Sequence, residues 1–140
     1  MKTEKYETFS TTADVGIRIQ GRGCDGLFHS AIKGLNLLYF GDIKIPEEKN
    51  HTLYPFQFHG DGCENVLVNF LAEIVYLLQT ENKLTTGITI KTAGETFIEA
   101  DLHTVDCKLE PGMEIKSVTY HNLHVRDNNG VKSAEIIFDI

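Results

Sequence analysis

Val15-Gly16-Ile17-Arg18-Ile19-Gln20-Gly21-Arg22-Gly23-Cys24-Asp25-Gly26 is the stretch on which the fold turns. Val15, Ile17 and Ile19 alternate with Gly16, Arg18 and Gln20, the period of a half-buried strand. From Leu27 the period lengthens. Leu27, Phe28, Ala31, Ile32, Leu35, Leu38 and Tyr39 share one helical face, with Asp25 in the N-cap position and Gly41 in the C-cap position. Between them, Gly21 to Gly26 spells G-x-G-x-x-G, and Asp42 stands at the offset expected of a ribose-binding acid. A dinucleotide-binding unit needs a parallel strand directly after the helix and further βαβ units beyond it. Here the segment from Ile43 to Lys49 runs into Pro46 and charged residues, and hairpin-like strands close the chain. The stretch therefore reads as a glycine-rich strand-to-helix turn. A nucleotide-binding module built on Gly21 to Gly26 is the alternative.

Working outward, Tyr6 to Phe9 forms a short strand before this stretch. Thr52, Tyr54, Phe56 and Phe58 alternate after it, with Pro55 placing that strand at an edge or breaking it locally. Asp61-Gly62-Cys63-Glu64 has the form of a capping box, with Asp61 as the cap. It opens a helix whose stripe is Val66, Leu67, Phe70, Leu71, Ile74, Leu77 and Leu78. Strands follow through Ile88 and Ile90, then through Ile98, Ala100 and Leu102. Pro111-Gly112 marks a turn. Val118 and Tyr120 keep one phase and Leu123 and Val125 the other, which a bulge near His121 reconciles. Asp127-Asn128-Asn129-Gly130 is a hairpin turn, and Ala134, Ile136 and Phe138 face inward on the last strand. Two helices among hairpin-connected strands give a single α+β domain over residues 1–140 with a mainly antiparallel sheet.

Composition narrows the function. The chain has 140 residues, 13 basic and 20 acidic side chains, and a net charge of −7. The basic residues are scattered, so direct binding to a nucleic-acid backbone is disfavoured. The cysteines, Cys24, Cys63 and Cys107, are odd in number and lack metal-finger spacing, as in reduced cytoplasmic proteins. No apolar run reaches the length of a membrane span, and Met1 to Lys5 leads into no signal-peptide core. Asn50-His51-Thr52 is a sequon of no weight without a secretory signal. The six histidines form no HxxxH or HExxH pair, and no nucleophile elbow is present.

Asp14 stands immediately before an apolar strand. Asp139 ends the last strand off its inward face, and Ile140 adds an α-carboxylate. Clustered oxygen ligands of this kind suit hard cations, although an acid at a strand end is most often only solvated.

Four blocks, in order, span nearly the whole chain: Thr12-Ala13-Asp14-Val15-Gly16-Ile17, Glu64 to Glu73, Glu114-Ile115-Lys116-Ser117-Val118-Thr119-Tyr120-His121, and Phe138-Asp139-Ile140. Together they resemble the archease family. The resemblance implies an accessory protein, not itself an enzyme, that promotes guanylylation and multiple turnover of an RtcB-type RNA ligase in tRNA splicing or RNA repair. RNA would be engaged only through that ligase, with no role for DNA or a membrane. It further implies a divalent metal, calcium foremost and magnesium or manganese as alternatives, held by Asp14, Asp139 and the Ile140 carboxylate. Lys116, His121 and Glu73 would stand beside that metal or face the partner. Thr11 departs from the family, where histidine is common, and a metal-independent chaperone-like protein is a further alternative.

Overall fold

The structure is a computed structural model and describes residues 4–42 and 51–140. The expectations for the 43–49 segment and for Asn50 of the sequon lie outside the described residues. The alternating stretch at Val15 forms β2 (Val15–Arg22), paired antiparallel with β1 (Lys5–Ser10). It turns directly into α1 (Gly23–Phe40). There follow β3 (Thr52–His59), α2 (Cys63–Glu81), β4 (Lys83–Ala93), β5 (Phe97–Asp106), β6 (Ser117–Val118), β7 (Arg126–Asn128) and β8 (Val131–Asp139).

The strands divide into two sheets, every pairing antiparallel. In the first, β8 lies between β2 on one flank and β6 and β7 on the other, with β1 outermost. In the second, β5 is central between β3 and β4. Both helices touch both sheets. This is the expected α+β architecture, with the antiparallel strands shared between two sheets. The core is one continuous cluster, in which Leu27, Phe28 and Leu35 of α1 meet Val66, Leu67 and Phe70 of α2. The Phe28 and Phe70 rings lie 4.9 Å apart, tilted by 59°, a favoured aromatic geometry.

The glycine-rich turn is explained by packing. A Cβ on Gly21 would fall 2.1 Å from the carbonyl carbon of Gly26, so the end of β2 and the start of α1 touch backbone to backbone. The Gly23 N–H donates to the Gly130 carbonyl at 2.8 Å and is thus not free to cradle a phosphate.

Several expectations at element ends are corrected. Asp25 is not the N-cap: β2 pairs with β8 up to Arg22, the turn is made at Gly23 (φ 65°), and Asp25 falls inside the first helical turn. Asp61 does not cap α2 either. The cap position is Gly62, and the polar contact runs the other way, with the Asp61 N–H donating to Asn65 Oδ1 at 3.1 Å. Gly41 does end α1, its N–H reaching the Leu37 carbonyl. Pro55 sits in an unbroken edge strand. The bulge expected near His121 is instead a turn, in which the Leu123 N–H donates to the Tyr120 carbonyl and Asn122 takes φ 54°. Bulges occur in β4, between Thr85 and Gly87 and between Ile90 and Thr92.

Candidate functional site

Asp14 is set by the β1–β2 turn. Ser10 pairs with Val15, leaving four residues to reverse the chain. Thr11 closes this turn three times over. Its N–H donates to the Asp14 carbonyl at 2.8 Å, and its Oγ1 accepts from the N–H groups of Ala13 at 3.2 Å and Asp14 at 2.9 Å. A threonine hydroxyl holding its own turn is a known local motif. Thr11 therefore positions Asp14. Two residues on, a Cβ on Gly16 would lie 2.3 Å from the Ile136 carbonyl oxygen and 2.5 Å from the Phe9 ring. Only glycine lets Phe9 cover the strand, and the Arg18 guanidinium lies over that ring at 4.4 Å.

Asp139 is set by β8 and its flanks. Val15 pairs with Phe138, so the next position outward on each strand is Asp14 and Asp139. On the other flank, the Lys116 N–H donates to the Asp139 carbonyl at 2.7 Å and Ser117 pairs with Asp139, so Lys116 precedes the pairing on the side of Ile140. The Thr119 hydroxyl and N–H both donate to the Ile137 carbonyl, at 2.8 and 3.1 Å. Asp14, Asp139, Ile140 and Lys116 thus occupy neighbouring strand ends of one sheet.

The other two candidates lie apart from that edge in their contacts. His121 is exposed in the turn after β6, its N–H donating to the Thr119 hydroxyl at 3.2 Å. Glu73 accepts from the Tyr54 hydroxyl at 2.7 Å and so links α2 to the second sheet. That bond, followed by burial, pushes the Tyr54 phenol up to about 12. A groove of about 860 Å³ on the outer face of the first sheet is lined by Arg18, Glu7, Glu135, His124 and Arg126 among others, and by none of the predicted site residues. Its charges are largely matched, with Arg18 paired to both Glu7 and Glu135.

Residues invisible to the sequence reading position Lys116. Gln79 of α2 bonds to both backbone groups of Ile115. The Asn65 side chain donates to the Tyr120 hydroxyl at 2.8 Å. The segment from Ile115 to Tyr120 is thereby strapped along α2 at both ends. Isolated polar residues at the margin of an apolar stripe give no periodic signal, so nothing in the sequence pointed to them.

Among the described residues, no three His, Cys, Asp or Glu side chains gather as a metal-holding group. Available at the strand ends are the Asp14 and Asp139 carboxylates, and no hydrogen bond or ion pair among the described residues engages either side chain. An all-oxygen, anionic donor set of this kind is the chemistry a hard cation takes.

The profile of the archease protein family (MTH1598/TM1083) matches residues 6–140. The chain belongs to the archease family. Curated archeases support this. The protein archease of Thermoplasma acidophilum is 28% identical over 144 residues, covering 99% of this chain and 96% of the relative. That of Pyrococcus furiosus is 25% identical over 143 residues, covering 97% and 99%. The archease fold is seen in the solution structure of Methanobacterium thermoautotrophicum protein 1598, with a TM-score of 0.74 at 22% identity over the full length of both chains. The crystal structure of an archease, possible chaperone, from Thermotoga maritima matches with a TM-score of 0.63 at 19% identity over 96% of each chain. No helix among the described residues is long and apolar enough to cross a membrane.

Proposed function

We propose that this archease is a cytoplasmic accessory protein that promotes guanylylation and multiple turnover of an RtcB-type RNA ligase, and that a divalent cation, calcium in the first place, is held by Asp14, Asp139 and the Ile140 carboxylate. The observation that carries the reading is the register of β2, β8 and β6, which brings both aspartates and Lys116 to one sheet edge. A bound cation would supply positive charge beside a triphosphate, where charge develops during nucleotidyl transfer. The residues of the chain do the rest. Thr11 fixes the turn that presents Asp14, and the Gln79 strap fixes Lys116, whose ammonium is available to a phosphate oxygen.

The test follows labelled GMP transfer from GTP to a cognate ligase and counts RNA joined per ligase. Catalytic amounts of the wild-type chain should convert single turnover into multiple turnover. Asp14→Ala and Asp139→Ala should lose most of the stimulation, and Lys116→Ala part of it. If the wild-type chain leaves both quantities unchanged across a range of GTP and metal concentrations, the proposal fails. The Thermotoga relative's description as a possible chaperone favours a second reading, general chaperone-like action without metal. Suppression of aggregation of unrelated unfolded proteins, insensitive to chelator, would select it.

A further inference from the structure

A strand at the edge of a sheet offers its outer backbone groups to any strand that fits, unless something turns partners away. β6 and β7 have only two and three residues, β3 contains Pro55, and β4 is broken by bulges between Thr85 and Gly87 and between Ile90 and Thr92. β1 carries neither proline nor bulge. Its six residues pair with β2 in one unbroken register, and all but Phe9 are exposed.

The register fixes which backbone groups of β1 face outward. On the far flank of the first sheet, the Ile137 and Asp139 carbonyls accept from Thr119 and Lys116. Backbone groups of successive residues turn to opposite sides of a strand, so Ile136 and Phe138 turn theirs to β2. Their partners Ile17 and Val15 face β8, which leaves Gly16 and Arg18 to bond Phe9 and Glu7. The bond from the Thr11 N–H to the Asp14 carbonyl keeps the same alternation. Glu4, Tyr6 and Thr8 therefore direct their N–H and C=O groups away from the sheet. Lys5 and Glu7 lie on its outer face, opposite Gln20 and Arg18, and Tyr6 lies on the inner face, opposite Ile19. No hydrogen bond or ion pair among the described residues engages the Lys5 ammonium. Glu7 meets Arg18 at 3.4 Å with its side chain 65% exposed. Tyr6, although on the inner face, is 42% exposed.

We propose that β1 pairs antiparallel with β1 of a second copy of this chain, about a two-fold axis at Tyr6. The outward groups of Glu4, Tyr6 and Thr8 then bond those of the second copy's Thr8, Tyr6 and Glu4. Lys5 stands directly against the second copy's Glu7, and Glu7 against its Lys5. Opposite charges in this position stabilise a strand pair and like charges destabilise it, while facing aromatic rings add to the pairing. The neighbouring registers that match the outward groups lack this complementarity. An axis at Glu7 sets Glu7 against Glu7, and an axis at Thr8 sets Glu7 against Phe9. The charges that repel an arbitrary strand thus select this one, in the self-complementary form a two-fold interface requires. The outer faces of the two sheets become continuous, and the two grooves, each reaching β1 at Lys5 and Glu7, adjoin across the axis. Five paired residues a side make an interface below about 1,200 Å², so the dimer is weak and reversible. Its formation does not depend on the ligase reading.

The experiment is sedimentation equilibrium of the full chain from micromolar to near-millimolar concentration, where a reversible dimer is expected. Lys5→Glu and Glu7→Lys, each alone, should weaken it by about tenfold or more, since each sets two like-charged pairs face to face. Mixed in equal amounts, the two variants should form a heterodimer of near wild-type affinity, because every charge then faces its opposite. A second measurement needs no substitution. Amide hydrogen exchange of the wild-type chain, compared at low and high concentration, should slow at Tyr6 and Thr8 and stay unchanged at Lys5 and Glu7, whose N–H groups already bond β2. A wild-type chain that is monomeric at near-millimolar concentration, a dimer indifferent to both charge reversals, folded variants that fail to associate when mixed, or concentration-dependent protection on β3 or β4 in place of β1 overturns the proposal.

Discussion

Gln79 grips the backbone of Ile115 through both ends of its amide: Oε1 accepts from the Ile115 N–H at 2.7 Å, and Nε2 donates to the Ile115 carbonyl at 2.8 Å. The buried Tyr39 hydroxyl donates to the same Oε1 at 2.6 Å, so α1, α2 and the chain leading into β6 are locked by one side chain. Ile115 is itself buried, and its polar groups have little access to water. Gln79→Leu should therefore lower the unfolding free energy by about 2–3 kcal/mol. Gln79→Glu keeps the acceptor and should lose roughly half of that. Urea unfolding with an unchanged slope checks both. Wild-type stability in Gln79→Leu would mean that the strap is not needed.

At Gly16, a Cβ meets both the Ile136 carbonyl and the Phe9 ring. Gly16→Ala should destabilise the chain by about 3 kcal/mol, at the upper end for overpacking. Phe9→Ala in the same chain removes only the ring and should restore part of the loss, because the carbonyl stays in place. Thermal unfolding of the single and double variants measures the coupling; full restoration would show the carbonyl contact to be harmless.

The Tyr54–Glu73 bond makes a prediction in alkali. The folded phenol is pushed up to about 12 from an ordinary value of 10, because its hydroxyl donates a hydrogen bond to the Glu73 carboxylate. A raised folded value stabilises the protonated form. Its contribution is complete below about pH 10 and declines as pH rises toward 12. In Glu73→Ala the phenol should titrate close to its ordinary value, seen as phenolate absorbance appearing at lower pH, and the stability loss between those limits should shrink. A titration curve identical to wild type would show that the bond does not hold in solution.

Asp14→Ala should reduce divalent affinity at least tenfold with little effect on stability, since Asp14 sits half-exposed in a turn outside the core. Thr11→Ala, which releases that turn, should reduce it less, and Thr11→Ser should leave it unchanged. Calcium titration by calorimetry reads all three. Unchanged affinity in Asp14→Ala removes Asp14 from the ligand set.

Where the side-chain period is regular, the sequence was readable. The alternation at Val15 to Ile19 and at Ala134 to Phe138 located β2 and β8, and the two apolar stripes located the helices. Asn129-Gly130, both at positive φ, made the expected hairpin turn. What escaped was set by backbone geometry or by single polar residues. The division into two sheets depends on which strands pair at long range, and β3 and β2 have similar patterns. The bulge between Thr85 and Gly87 leaves the Thr85 carbonyl to the buried Asn36 side chain at 2.9 Å, a bond between distant residues that no local pattern encodes. The N-caps were misplaced, by three positions in α1 and one in α2, because Arg22 and Gly62 precede their helices without a capping side chain. Asp14 and Asp139 were legible as candidates, but their placement at neighbouring strand ends needed the β2–β8 register.

That register also governs how the protein is made. Arg18 and Glu135, bonded across β2 and β8, stand 117 positions apart. A ribosome therefore releases β2 long before the strand that covers its edge. Until β8 emerges, the β1–β2 hairpin presents an unpaired row of backbone groups beside Ile17 and Ile19, the kind of edge that recruits other strands. Completion of the first sheet waits for β8, and a nascent chain stalled before residue 131 should be retained by holding factors and degraded rather than released as a partly folded species.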